Sequence, residues 1–80
     1  MKKYLFLILD RYESSLSKTI FFESDLTPKA AFKFAVLENY AGRDALGEEW
    51  FKGEIANEIC TKRNLVTHDM EEVSFLLIKL

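Results

Sequence analysis

Two nearly continuous apolar runs lie at the two ends of the chain. Residues 4–9 read YLFLIL and residues 73–78 read VSFLLI. Each run has the length and the bulky side chains of a β-strand. Strands that are apolar on both faces usually lie in the middle of a covered sheet. The pattern therefore predicts that the first strand, residues 3–10, and the last strand, residues 73–80, are neighbours in one sheet.

The residues that follow the first strand predict a second strand and a helix. Residues 11–18 are polar and serine-rich and indicate a loop, so residues 19–23 form a strand antiparallel to the first. Thr27 is a good N-cap and Pro28 suits the first helical position, while Gly42 is placed to end the helix. The helix carries one apolar stripe, made of Ala31, Phe32, Ala35, Val36 and Tyr40 and widened by Phe34 and Leu37.

Residues 44–64 allow two interpretations. As a helix over residues 47–63, the segment has acidic residues at its first turn and basic residues at its last, and Phe51, Ile55 and Ile59 recur four apart. As a strand over residues 49–55, it places Phe51 and Ile55 on one side, and it avoids the cost of about 1 kcal/mol that Gly53 imposes on a helix. The charges and the four-residue repeat favour the helix, and the strand stays open.

The predicted fold class is α+β, a single small domain over residues 1–80 with the order β-β-α-(α)-β. Residues 65–72 are interpreted as a polar connection into the last strand. If the last strand lies on the free side of the first, it runs parallel to it through a right-handed crossover. The prediction is therefore a mixed sheet of order 2-1-3 with the helices on one face.

Two stretches carry a resemblance to a known fold. Residues 23–28 (ESDLTP) lead into residues 31–35 (AFKFA), and residues 66–75 read VTHDMEEVSF. Both resemble the β-grasp proteins related to ubiquitin, of the modifier or small sulfur-carrier type. The resemblance implies an N-terminal hairpin, a helix, and a final strand beside the first. The family's conjugating members end in a glycine tail, whereas the sequence here ends at Lys79-Leu80, so no functional residue is carried over.

Composition and charge restrict the function classes. The net charge is −2, from 11 basic and 13 acidic residues, which disfavours nucleic-acid binding through a basic surface. The single cysteine, Cys60, permits no intrachain disulfide, so we expect a cytoplasmic protein. The apolar run of residues 4–9 is shorter than the core of a signal peptide, so we expect a strand there. The sequence has no run of about 20 apolar residues, and no membrane association is expected.

Candidate chemistry is sparse. Cys60 and His68 are the one pairing of a nucleophile with a base, and Asp69 is the nearest residue in sequence that could orient the base. No CxxC or HxxxH spacing indicates a metal site, and no glycine-rich loop indicates a phosphate site. We therefore expect no enzyme activity, no cofactor and no metal.

The strongest functional indication is an excess of apolar surface. Along the first strand Tyr4, Phe6 and Ile8 point to one face while the leucines between them point to the other, and a layer of helix covers only one face. An uncovered apolar face indicates an interface, with a partner protein or in a homodimer. The alternative, that a helical segment or a curled hairpin covers it, stays open. The candidate protein-binding residues are Tyr4, Phe6 and Ile8, a second surface of Trp50 beside Glu48 and Glu49, and the steering carboxylates Glu71 and Glu72. We define the acidic region as the last five of these residues.

The predicted function is a non-enzymatic protein-binding module that docks onto a larger protein as an adaptor or inhibitor. The carboxylates of the acidic region would steer it towards a basic partner surface. Two alternatives are a small inhibitor encoded by a phage or mobile element, such as an anti-CRISPR or anti-restriction protein, and a ubiquitin-like modifier or carrier whose glycine tail is absent.

Overall fold

The computed structural model describes residues 1–40, 59–69 and 72–80. These residues form five strands, one α-helix and a short 3-10 turn at Ser14–Leu16. In chain order the elements are β1 (Lys2–Asp10), β2 (Lys18–Ser24), α1 (Pro28–Asn39), β3 (Cys60–Lys62), β4 (Leu65–Asp69) and β5 (Val73–Lys79).

The strands make one sheet of order β2-β1-β5-β4-β3, in which every neighbouring pair is antiparallel. The two apolar end strands, β1 and β5, are neighbours, and each has a strand on its other side. Leu7 lies opposite Thr19 of β2 and opposite Leu76 of β5, which fixes the register at the middle of the sheet. Strands β2 and β3 are the two edges among the described residues.

The predicted fold class is wrong. The chain does not follow a β-β-α-(α)-β order, and the sheet is not a mixed one of order 2-1-3, because β5 runs antiparallel to β1 and two further strands precede it. The β-grasp-like arrangement of strands and helix, which was predicted from that order, is therefore also wrong. The segment predicted as a polar connection contains β4, and the last residues of the predicted second helix form β3. Residues 47–58, for which helix and strand were both open, lie outside the described residues.

The β3–β4 hairpin explains the error. Its period-2 pattern buries Val66 and His68, and a histidine is a weak sequence signal for an inward position. Only Arg63 and Asn64 separate the paired residues Lys62 and Leu65. Arg63 adopts a left-handed conformation with φ of 50°, as two-residue hairpin turns require, although neither residue is a glycine.

The prediction for the start of α1 is confirmed. The Thr27 side chain accepts a hydrogen bond from the backbone N–H of Ala30, and Pro28 occupies the first helical position. The helix ends at Asn39, where the Tyr40 N–H still donates to the Val36 carbonyl. Gly42, expected to end the helix, lies outside the described residues.

The core lies between α1 and one face of the sheet. Phe6 and Phe75 lie nearly parallel with ring centroids 6.3 Å apart, and Phe32 from the helix meets both rings edge-on at 6.1 and 6.4 Å. Such edge-to-face pairs are favourable beyond the area they bury. The buried apolar residues are Tyr4, Phe6, Ile8, Ala31, Phe32, Ala35, Val36, Val66, Val73, Phe75 and Leu77.

His68 is also buried on this face, with its ring stacked on Phe75 at 6.5 Å. It therefore contributes to core packing. In the described part of the chain, no helix has the length and apolar character needed to cross a bilayer.

Candidate protein-binding face

The face of the sheet turned away from α1 is also apolar. Since side chains alternate along a strand, the residues between the core positions all point to this second face. The register aligns them in rows across the strands: Phe21, Leu5, Ile78 and Leu65 in one row, and Thr19, Leu7, Leu76, Thr67 and Cys60 in the next. We define the open face as the seven apolar residues Leu5, Leu7, Leu9, Phe21, Leu65, Leu76 and Ile78.

The open face is accessible to solvent in the described structure. Phe21 is 71% exposed, Leu9 is 59% exposed and Leu65 is 37% exposed, and the remaining four residues are partly exposed. The one α-helix of residues 1–40, 59–69 and 72–80 packs against the other side of the sheet. The apolar surface is therefore contiguous across four strands.

Two shallow depressions lie on the open face and its margin. The larger, of about 340 Å³, is lined by Leu7, Leu9 and Leu76 together with Thr19 and Ser74. The smaller, of about 310 Å³, lies around Phe21, Leu80 and the adjacent charged pair of Lys3 and Glu23. Both are open to solvent, unlike a cleft that buries most of a small ligand's surface.

The margins of the open face carry charges of both signs. Lys3 lies opposite Glu23 at one end, and Lys62 lies on the β3 edge. At the other end the Arg11 guanidinium donates to Asp69 Oδ1 at 3.1 Å and to Ser74 Oγ at 2.7 Å. The Ser74 hydroxyl in turn donates to Asp69, and this bond, followed by the Arg11 bond, lowers the pKa of the Asp69 carboxyl.

Three of the predicted binding residues lie on the opposite side of the sheet. Tyr4, Phe6 and Ile8 are 0%, 0% and 2% exposed and lie in the buried cluster that includes residues of α1, so they belong to the core and not to an exposed surface. The Tyr4 hydroxyl still donates to the Leu26 carbonyl at 2.6 Å, just before the helix. Burial raises the pKa of the Tyr4 hydroxyl.

The alternation along β1 predicted two apolar faces but did not distinguish them. Lys2 and Lys3 point to opposite faces, so the charges at the start of the strand favour neither. Phe21 and Leu65 were missed because each lies in a segment with few other apolar residues on the same face. Their positions opposite Leu5 and Ile78 follow from strand pairing, which the sequence does not state.

Glu72 is the one residue of the acidic region that the structure describes. Glu48, Glu49, Trp50 and Glu71 lie outside the described residues. Glu72 is exposed just before β5, and its carbonyl accepts a hydrogen bond from the Arg11 N–H at 2.9 Å.

Cys60 and His68 are not brought together. Cys60 is exposed and lies opposite Thr67, on the open-face side, whereas His68 points into the core. A nucleophile and its base must be within hydrogen-bond reach, and these two side chains point to opposite faces of the sheet. In the part of the chain that the structure describes, no group of three histidine, cysteine or acidic residues is arranged to hold a metal ion.

Comparison of the chain with models of known families, with curated proteins and with solved structures finds no match.

Proposed function

We propose that this chain is a non-enzymatic protein-binding module and that the open face is its recognition surface. The partner is a larger protein with an apolar patch, and binding blocks that patch as an inhibitor does or joins it to another component as an adaptor does. The observation that supports the proposal is the contiguous row of Phe21, Leu5, Ile78 and Leu65 on the side of the sheet away from α1.

The free energy of burying this surface supplies the affinity. Scattered exposed leucines are normal, but a contiguous apolar patch of several hundred Å² is typical of an interaction site. Removing apolar surface from water gains about 25 cal/mol per Å², and part of this gain is lost to the entropy of association. Phe21 is the best candidate for an anchor because it combines a large ring with high exposure.

The charges at the margin supply orientation. Lys3, Glu23, Lys62 and Asp69 put both signs around the apolar centre, so a partner with an alternating charge pattern fits in one register. An apolar centre with a polar rim is the usual anatomy of a protein interface.

A pair of matched variants tests the proposal. Phe21 on the open face and Tyr12 in the loop after β1 are both 71% exposed, so Phe21→Glu and Tyr12→Glu make the same change in charge at equal exposure. Immobilised wild-type protein and both variants are incubated with lysate of the source cells, and the retained proteins are quantified by mass spectrometry. We expect one or more proteins retained by wild type and by Tyr12→Glu and lost with Phe21→Glu.

Identical retained sets for the three proteins would overturn the proposal. Circular dichroism spectra of both variants verify that each is folded, so that loss of a retained protein reports on the surface.

A further inference from the structure

We infer that, without a larger partner, the open face is occupied by the open face of a second copy of this chain, in a two-fold symmetric dimer. The inference rests on the recognition surface proposed above and says what covers that surface when no larger partner is bound. Three observations carry it: the order of the strands, the positions of two opposite charges, and the size of the face.

The order of the strands makes the face self-complementary. Strand β5 is the middle of the five, with β1 and β4 on its two sides. A two-fold axis parallel to β5, between two stacked sheets, places Leu76 and Ile78 against the same residues of the second copy. It also places Leu5 against Leu65, since these two lie in one row on either side of Ile78. The apolar centre of each face thus meets apolar side chains.

The same axis pairs opposite charges. Glu23 lies on the β2 edge and Lys62 on the β3 edge, so a rotation that exchanges the edges brings them together. Lys62 pairs with Leu65, so it belongs to the row that ends at Phe21 on the other edge of the sheet. Glu23 is two residues from Phe21 along β2. Glu23 of each copy therefore lies close to Lys62 of the other, and the contact occurs twice. Within one chain these two residues are on opposite edges of the sheet.

The size of the face suits a second copy. Five strands of three to nine residues, about 4.8 Å apart, give a flat area of roughly 450 Å². Two such faces with their side-chain relief remove about 1,000 Å² from water, which is the lower end of specific protein interfaces. An axis parallel to β5 keeps the strands of the two sheets aligned, within the roughly 30° found in aligned sheet packing. A dimer of this size is stable enough to form and small enough to exchange with a partner.

A cross-linking test reads the dimer geometry directly. Thr19 and Cys60 are the two ends of the row that contains Leu7 and Leu76. In one chain they are four strand spacings apart, about 19 Å. In the proposed dimer Thr19 of one copy lies over Cys60 of the other, across stacked sheets about 10 Å apart, which is too far for a disulfide but within reach of a short bismaleimide linker. We expect Thr19→Cys, with the native Cys60, to form a covalent dimer with a bismaleimide whose span is shorter than the separation within one chain.

Lys18→Cys is the matched control. Lys18 is exposed and adjacent to Thr19, but its side chain is on the other face, since it lies opposite the buried Ile8. We expect it, and the wild type with Cys60 alone, to give at least tenfold less covalent dimer than Thr19→Cys. Equal yields for Thr19→Cys and Lys18→Cys, or no covalent dimer for either, would overturn the inference.

Exchanging the charges of Glu23 and Lys62 tests the margin of the open face without introducing a cysteine. Lys62→Glu sets two acidic side chains against each other at both ends of the interface, and we expect about tenfold weaker dimerisation by analytical ultracentrifugation. The double variant Glu23→Lys with Lys62→Glu restores opposite charges and is expected to recover the wild-type dissociation constant within about threefold. Failure of the double variant to recover would overturn the proposed axis.

The outcomes separate this inference from the proposed function. A protein that is monomeric at all concentrations, but still retains a Phe21-dependent partner, would overturn the dimer and support the recognition surface. A covalent Thr19–Cys60 dimer with no Phe21-dependent partner would support the dimer and overturn docking onto a larger protein. If the protein is a monomer and Leu76→Glu lowers its melting temperature, then another part of the same chain covers this face. That result would overturn the dimer.

Discussion

The two faces of the sheet are both apolar, yet they are built from different side chains. The face against α1 carries aromatic rings, with Tyr4 and Phe6 on β1 and Phe75 on β5. The open face in the same two strands carries leucine and isoleucine, with Leu5 and Leu7 facing Ile78 and Leu76. Rings that meet edge-on fill the space between a sheet and a helix, whereas aliphatic chains give an even layer suited to a second flat surface.

This contrast shows that hydrophobicity alone does not assign a face to the core. Mean apolar content is similar on the two faces, and the discriminating property is the presence of a helix whose side chains are complementary in shape. Phe32 from α1 reaches both Phe6 and Phe75, so the inner face has a partner in the described structure.

The largest predicted difference between the faces is in the cost of truncation. Phe6→Ala on the inner face should lower the free energy of unfolding by about 3–5 kcal/mol, since it leaves a cavity among buried rings. Leu7→Ala, the next residue on the open face, should cost about 1 kcal/mol or less in a monomer, because its side chain is already partly exposed. Urea unfolding followed by circular dichroism, at a protein concentration where sedimentation gives a monomer, measures both.

Equal costs for Phe6→Ala and Leu7→Ala would mean that the open face is as well packed as the core. Since Phe6→Ala removes much of the stability of a small domain, Phe6→Leu serves as the milder version, with an expected cost of about 1 kcal/mol.

The next prediction concerns the one hydroxyl that the inner face of β1 carries. Tyr4→Phe removes the hydrogen bond to the Leu26 carbonyl and should cost about 1–2 kcal/mol in the free energy of unfolding. Tyr12→Phe removes an equivalent hydroxyl from an exposed loop residue and should change stability by less than about 0.5 kcal/mol. If the two variants had the same stability, the hydroxyl of Tyr4 would contribute nothing at the start of α1.

Alkaline titration should weaken the inner face selectively. Burial raises the pKa of Tyr4, and burial followed by the charges of Asp10 and Glu72 raises the pKa of Tyr40, both from an ordinary value of 10.0. Because the unfolded tyrosines lose their protons first, the stabilisation is complete below pH 10.0 and is lost as the pH rises through the folded values. The wild-type urea midpoint should therefore fall above pH 10.0. Tyr4→Phe should show a smaller fall.

Acid titration should affect the margin of the open face, and this is the smallest effect expected. The folded pKa of Asp69 lies below its ordinary value of 3.8, so its contribution is complete above that value and is lost as the pH falls through the lower, folded one. Asp69→Asn should remove this component from the stability profile below pH 3.8. Superimposable wild-type and Asp69→Asn profiles would show that the hydrogen bonds from Ser74 and Arg11 contribute no stability.

The sequence specifies the local elements of this chain better than their pairing. Thr27 and Pro28 determine where α1 begins, and the apolar runs determine β1 and β5, because capping geometry and strand composition are local properties. Whether β5 runs parallel or antiparallel to β1 depends on the path between them. The β3–β4 hairpin reverses that path, and its turn at Arg63 and Asn64 lacks the glycine that marks such turns.

The candidate site could likewise be predicted from local pattern but not from the pairing and packing of elements. Alternation along β1 predicted two apolar faces, and the choice between them required the position of α1. Tyr4 and Phe6 were assigned to the wrong face because an aromatic side chain is typical of an interface as well as of a core. The alternation of Phe21 with Ile20 and Phe22, which pack against the core, is the signal in the sequence for its outward position.

The central position of β5 affects how the protein is made. Strand β5 comes last among the described strands, yet it separates β1 from β4 and completes the hydrogen bonding of both. During synthesis the N-terminal hairpin and α1 therefore leave the ribosome with one edge of β1 unpaired. The complete sheet forms only after residue 79 has left the ribosome, so its formation follows translation of β5. A prematurely terminated product would present the bare edge of β1, the kind of edge on which chains aggregate.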